Sequence, residues 1–218
     1  MTHINRQNIG KSWPIPRKGT KYLAVSTHNK TSSIPLVVVM RDVLDLVKTK
    51  KELQKSINEK QIKINGKEIR EGNYPLGLLD ILSVGKKNYK VGLNEHKKMS
   101  FEEVSEKDAQ TKTIKIVGKK TLGKDKFQFN LIDGRNILSK EKADTGDSVI
   151  FNFKDKKIEK IIKMEKGEQG FVFEGKHAGH KGKIEEIIER GGKSLAKVID
   201  EEGKKINVWI KNVIVMEK

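Results

Sequence analysis

The stretch GFVFEGKHAGHKG, residues 170–182, holds residue types that could do three kinds of chemistry. Read from Gly170 it is G-x-x-x-x-G-K. A phosphate-cradling loop of that type needs a strand before it, a helix after it, and a Ser or Thr following the lysine to ligate magnesium. Here His177 stands where the hydroxyl belongs, Phe171 to Glu174 read as strand, and the residues beyond alternate like another strand, so nucleotide binding is not expected. Read from His177 the stretch is H-x-x-H. The chain has no cysteine, and His3, His28 and His96 lie far upstream. Two imidazoles do not fill a tetrahedral site, so neither metal nor cofactor is expected. In the third reading, Gly175, Gly179 and Gly182 let a loop turn tightly and bring its backbone close to a partner. Lys176, Lys181 and Lys183 then project charge, with His177 solvated or facing phosphate and no acid between Gly175 and Lys183. A backbone-hugging contact with RNA is the preferred reading, and a glycine-rich hairpin with solvated lysines is the plain alternative.

Nothing else in the chain assembles a catalytic set. There is no G-x-G-x-x-G after a strand and no Ser/His/Asp arrangement. Asp133, beside Gly134, is the one carboxylate carried by a motif, and a turn role is expected of it.

Charge narrows the partner. Lys and Arg number 46 against 29 Asp and Glu, a net +17 with a pI near 9.8. Residues 1–41 carry seven Lys/Arg and no acid, and a second surplus of seven lies in residues 87–166. Such an excess implies a polyanion. Nucleic acid is favoured over an anionic membrane, because no basic amphipathic helix with a wide apolar face is evident. The longest apolar run, LVVVM at residues 36–40, is far short of a membrane span. No secretory signal opens the chain and no cysteine is present, so an intracellular protein is expected. Aromatics make up only 6% of residues, which favours recognition of phosphate and shape over stacking of several bases.

The elements that must position these groups follow from the pattern. The first 35 residues hold three prolines and only short apolar pieces, and should not pack a core of their own. Apolar positions 36, 39, 40, 43, 44 and 47 predict one helix, and Thr49 with Glu52 forms a capping box opening a second. Lys51 and Lys55 lie outward on that second helix, one turn apart. QIKINGKEI alternates around Asn65-Gly66, a hairpin signal. SFEEVSEKDA, with Ser100 and Glu103 as a capping box, predicts a helix. TIKIVGKK, KFQFNLIDGRNI, DSVIFNF and KIEKIIKM predict a small antiparallel β domain, and residues 167–218 a second one of about five strands.

Residues 170–184, with Val172, Gly175, Gly179, Gly182 and Ile184, resemble the KOW motif of ribosomal proteins and transcription elongation factors. The ordered pieces KSWPIPRKG, IPLVVVMRDVLDLVKTKKE, KINGKEIREGNYPLGLLDILSV, FQFNLIDGRN, TGDSVIF and MEKGEQGFVFEGKHAGHKGKI resemble the archaeal and eukaryotic S4e family of small-subunit ribosomal proteins over residues 13–216. The resemblance implies an α+β, multi-domain chain. A basic extended arm (1–35) would precede an S4-type helical-hairpin RNA-binding module (36–86), a central β domain (87–166) and an SH3-like KOW barrel (167–218). It also implies a non-enzymatic constituent of the cytoplasmic small subunit that binds ribosomal RNA beside neighbouring ribosomal proteins, with no cofactor or small-molecule substrate. On matching positions the RNA-facing residues would be Trp13, Arg17 and Lys18 in the arm, Arg41 on the first module helix, Arg135 and Asn136 after Asp133-Gly134, and Lys176, His177 and Lys181 in the KOW loop. Lys21, Lys51, Lys55 and Lys183 join them on charge and position. The arm is less densely basic than is usual in the family, and the chain runs to Lys218 without the longer tail of eukaryotic members, so an archaeal origin is expected. Two other functions compete. An accessory of an RNA-modifying enzyme would need a catalytic domain, and none is left over. A KOW-type transcription factor would need a second αβ domain ahead of the barrel.

Overall fold

The computed structural model describes residues 3–123, 126–190, 193–200 and 203–217. The chain divides into two compact units, Met1–Gln110 and Thr111–Lys218. Both are mostly β with few helices, and the described strands pair antiparallel. Among the described residues no helix is long and apolar enough to cross a membrane.

In the first unit β1 (His3–Asn5) pairs with β2 (Tyr22–Ala24), and β3 (Ile34–Pro35) runs into the first helical segment. The arm builds no core of its own, as its composition predicts, but it joins the core of the residues that follow. Trp13 is only 4% exposed and packs in one cluster with Leu23, Leu36, Leu53 and Met99. Its indole N–H donates to the Ser33 carbonyl at 3.2 Å. Trp13, expected to face RNA, is therefore a buried anchor, because an indole with a satisfied N–H gains more from the core than from water.

The helix predicted over residues 36–48 is shorter than its periodicity. α1 (Leu36–Val38) passes into a single π-helical stretch, Val39–Val43, and ends. The Leu44 N–H reaches back to the Val39 carbonyl, and those of Leu46 and Val47 both reach Met40. Three successive valines, stiff at χ1, favour helix weakly. Residues 36–40 are all buried, so packing sets the length. α2 (Lys50–Asn58) follows the prediction: Thr49 Oγ1 accepts from the Glu52 N–H at 3.2 Å, and Glu52 Oε2 accepts from the Lys48 and Thr49 N–H groups at 2.7 and 3.4 Å. The Lys48 N–H, foremost, pulls the Glu52 pKa below the usual carboxylate value. Leu53 and Ile57 turn inward.

The Asn65-Gly66 hairpin forms between β4 (Ile62–Ile64) and β5 (Lys67–Glu68), with φ of +51° and +73° at the two turn residues as a type I′ turn requires. β6 (Pro75–Leu76) pairs with β3, while β7 (Ile81–Val84), β8 (Lys87–Leu93) and β9 (Met99–Val104) complete a sheet ordered β5-β4-β7-β8-β9. Two expectations change here. SFEEVSEKDA is not helical: it supplies β9, in register with β8 through Leu93↔Met99 and Val91↔Phe101, and only a 3-10 turn, Asp108–Gln110, follows. Met99 and Phe101 pack against the core on alternate positions, and that tertiary pairing overrides the local capping signal. The same sheet runs on to Val104 and the first unit to Gln110, past the expected break between 86 and 87, because β7 and β8 are two arms of one hairpin.

The second unit holds two five-stranded sheets. β10 (Thr111–Thr121), β11 (Phe127–Leu131), β12 (Asn136–Ser139), β13 (Ser148–Asn152) and β14 (Lys157–Ile162) order as β12-β11-β10-β13-β14 over Ile114, Ile116, Phe129, Val149 and Phe151. β15 (Gln169–Val172), β16 (Lys181–Arg190), β17 (Lys193–Asp200), β18 (Lys205–Trp209) and β19 (Val213–Met216) order as β18-β17-β16-β15-β19. The sheets share a small cluster of Ile150, Ile162, Ile184 and Val215, and the Val215 N–H donates to Ser148 Oγ at 3.0 Å.

Lys115 is buried, 3% exposed, and its ammonium donates to the carbonyls of Ile210 and Val213. Burial lowers its pKa from 10.5 to about 8. Between those values the unfolded chain holds the extra proton, so the contribution of Lys115 to stability grows as pH rises through that window, by at most about 3 kcal/mol. Denaturant unfolding of the wild type and Lys115→Met at pH 7 and pH 10 should show the wild type gaining on the variant at the higher pH. An unchanged difference would refute the assignment. Gly182 makes a second prediction. A Cβ there would lie 2.1 Å from the Ile199 carbonyl oxygen, so Gly182→Ala must push β16 from β17, and a large drop in Tm is expected by calorimetry.

Candidate nucleic-acid interface

In the first unit the arm and the helical segments enclose a cleft of about 480 Å³, with Arg6, Tyr22, Arg41, Asp42 and Lys50 among its walls. β2 puts Tyr22 at the rim, 51% exposed. Lys21 Nζ lies 5.3 Å from the Tyr22 ring centroid, and the His3 ring meets Tyr22 edge-on at 4.9 Å. The π-helical stretch brings Arg41 to the cleft, where Asp42 accepts from its Nε and Nη2 at 2.7 and 2.8 Å. That forked pair, mainly through its hydrogen bonds, raises the pKa of the guanidinium further.

Arg6 braces the arm. Its Nε donates to the Thr20 carbonyl at 2.7 Å and its Nη1 to the Pro16 carbonyl at 2.6 Å, which closes the loop that presents Arg17 and Lys18 to solvent. A Cβ at Gly19, whose φ is +143°, would meet Arg6 Nη2 at 2.8 Å. Among the described lining residues, Arg6, Arg41 and Lys50 thus face the cleft with Asp42 as the one carboxylate. The structure brings the predicted Arg41 into this cleft and the predicted Lys21 beside its Tyr22 rim, and adds Arg6 and Lys50, which sequence reasoning did not single out. Lys50, the first residue of α2 next to Lys51, could have been found from the capping box. Arg6 carried no local signal, since its partners lie ten and fourteen residues on. Lys51 and Lys55 stay exposed on the outer face of α2, Lys55 3.9 Å from Glu59.

In the second unit the glycine-rich stretch is a loop between β15 and β16, and a strand, not a helix, follows it. Gly175 and Gly179 take φ of +97° and +101°, so they supply the turn, while Gly182 is needed where β17 approaches closely. Lys176, Lys181 and Lys183 are exposed, and Lys181 and Lys183 share a strand face by alternation. His177 is half-buried, its ring 6.0 Å from that of His180. His180 Nδ1 lies 2.5 Å from Asp200 Oδ2, a partner that ties down the second imidazole of H-x-x-H. Glu185 on β16 is held by Lys197 and Lys205 at 3.4 and 2.9 Å, and these bonds, that of Lys205 foremost, lower its pKa.

The turn from β11 to β12 does what its sequence predicts of Asp133. Asp133 Oδ1 accepts from the Arg135 N–H at 3.1 Å, and Gly134 takes φ of +86°. Arg135 differs from expectation. Its guanidinium lies 3.2 Å from Asp133 and 5.4 and 5.6 Å from the Phe151 and Phe153 rings, so it braces the domain; Asn136 beside it is exposed.

The model of the ribosomal family S4e matches residues 85–158. The small ribosomal subunit protein eS4 of Methanosphaera stadtmanae is 34% identical over 206 residues, covering 92% of this chain and 86% of that protein. The eS4 protein of Nanoarchaeum equitans is 30% identical over 192 residues, covering 85% and 82%. The crystal structure of the 30S ribosomal protein S4e from Thermoplasma acidophilum superposes with a TM-score of 0.73 at 25% identity, covering 86% of this chain and 96% of that one.

The exposed lysines of the glycine loop yield a direct expectation. Lys176→Glu combined with Lys181→Glu should weaken binding to ribosomal RNA about tenfold or more at moderate salt while leaving Tm within a few degrees. A collapse of Tm would mark the pair as structural instead.

Proposed function

Since the chain belongs to the S4e family of ribosomal proteins, we propose that it is a structural constituent of the cytoplasmic small ribosomal subunit that holds ribosomal RNA through phosphate and shape contacts. The family is non-enzymatic. In this reading residues 1–35 form the basic arm, and the S4-type module opens at residue 36, with its sheet continuing through β9. The central β domain follows, and residues 167–218 form the SH3-like KOW barrel. The RNA face comprises Arg17, Lys18, Lys21 and Arg41 with Arg6 and Lys50 around the arm cleft, Lys51 and Lys55 on α2, Asn136, and Lys176, His177, Lys181 and Lys183 in the KOW loop. Neighbouring ribosomal proteins are the other partners.

One observation supports the reading most: an acid-free segment of 41 residues is held in place by the core, so its cations are presented on an ordered surface around Tyr22. Ordered cations neutralise phosphates without losing the conformational entropy that a free arm would lose.

With on the order of six phosphate contacts, log affinity for ribosomal RNA should fall by about five per decade of salt. Filter binding from dilute to physiological salt measures this, and a flat response would refute it. Gradient sedimentation of a gentle lysate should place the protein with small subunits. Migration with RNA polymerase would favour a transcription factor, and mass shifts in ribosomal RNA incubated with the protein and S-adenosylmethionine would favour an enzyme.

A further inference from the structure

Among the described Phe, Tyr and Trp residues, Tyr22 and Trp209 are the two that are exposed, and each lines a cleft that also holds cations. The Tyr22 cleft belongs to the interface already described. The Trp209 cleft lies within the second unit, has a volume of about 500 Å³, and is lined by Lys115, Val117, Gly146, Trp209, Ile210 and Lys211 among others, with no acid among the described lining residues. That volume is in the range that encloses a small ligand, roughly 300–1,000 Å³.

Its construction follows from the sequence. Along β18 the buried positions are Ile206 and Val208, so alternation puts Trp209 on the outer face, 39% exposed. The 3-10 turn Ile210–Asn212 then sets Ile210 and Lys211 beside it. Lys115 fixes that turn from below by donating to the Ile210 carbonyl. Val117, 59% exposed, supplies another wall where the pairing of β10 with β11 shifts register between Ile116 and Gly118. Gly146 leaves room on a further side, its φ of +105° being one that a side chain would strain.

An apolar slot with an indole in its wall, the exposed Lys211 at its rim and no carboxylate among the described lining residues fits a flat, electron-rich ring attached to an anion. A neutral apolar side chain would use the indole and Val117 but would give Lys211 nothing, Lys115 being already committed to two carbonyls. We propose that this cleft holds one unpaired nucleotide of the bound RNA, its base stacked on Trp209 and its phosphate at Lys211. The inference rests on the RNA-binding reading above and adds to it a site that reads a base. It also agrees with the low aromatic content, which leaves room for one such contact and not for a row of them.

The test uses the intact protein with a dye-labelled oligoadenylate of about 12 nucleotides, and an abasic strand of equal length as the phosphate-only probe. Anisotropy reads binding. Tryptophan emission reads occupancy of the cleft, because Trp13 is buried. The oligoadenylate should quench emission and the abasic strand should bind without quenching. Trp209→Phe should abolish the quenching with affinity kept within about twofold, and Trp209→Ala should weaken the oligoadenylate about tenfold while leaving the abasic strand unchanged. Oligoadenylate binding with unchanged Trp209 emission would overturn the proposal, as expected if an apolar protein surface covers the cleft, and would leave the RNA-binding reading standing. Equal weakening of both strands by Trp209→Ala would also overturn it. Binding of neither strand would overturn both readings.

Discussion

The carboxylates nearest the cores of the two units are committed to internal partners, and that commitment decides where positive charge is left over. Asp80 accepts from Asn65 and from the Gly77 N–H, and Asp147 from the N–H groups of Asp144 and Met164. Asp133 holds Arg135, Asp200 meets His180, and Glu185 meets two lysines. Each acid fixes a turn or a strand junction, and each is then unavailable to neutralise the outer surface. A chain of net +17 would repel itself as a bare polyelectrolyte. With these five acids turned to architecture, it displays cations on ordered faces, where phosphate can neutralise them.

The arm shows how that display is built. A segment with no acid and little apolar content would be a solvated tail on composition alone. Trp13 and Leu23 commit it to the core of the first unit, and Arg6 closes the loop carrying Arg17 and Lys18. The residue type most suggestive of base stacking in this segment is thus its anchor, and Tyr22, on β2, is an exposed ring.

The second unit repeats the logic with a buried lysine. Lys115 leaves water to hold the turn that ends β18, and burial lowers its pKa accordingly. Its benefit is positional: the turn it fixes carries Trp209 and Lys211 on its flanks. The glycine loop between β15 and β16 and the slot beside β18 are therefore separate features of one unit, one presenting charge and the other an aromatic surface.

Local chemistry alone determined much of this. The Thr49–Glu52 capping box, the Asn65-Gly66 turn and the alternating strands after residue 110 were legible because each is set by residues a few positions apart. The surplus of cations and the want of an acid in residues 1–41 were legible because they are sums over the chain. The tertiary structure alone decided that residues 99–104 are strand, since their partner is β8, and that the helix opening at Leu36 stops at Val43, since a fully buried valine run obeys packing. It likewise decided which predicted residues face solvent. Trp13 turns inward and Arg135 is held half-buried because Ser33, Phe151 and Phe153 are brought to them by folding, Arg6 gains its place through partners ten and fourteen residues on, and Val117 and Gly146 come beside Trp209 only in the folded unit.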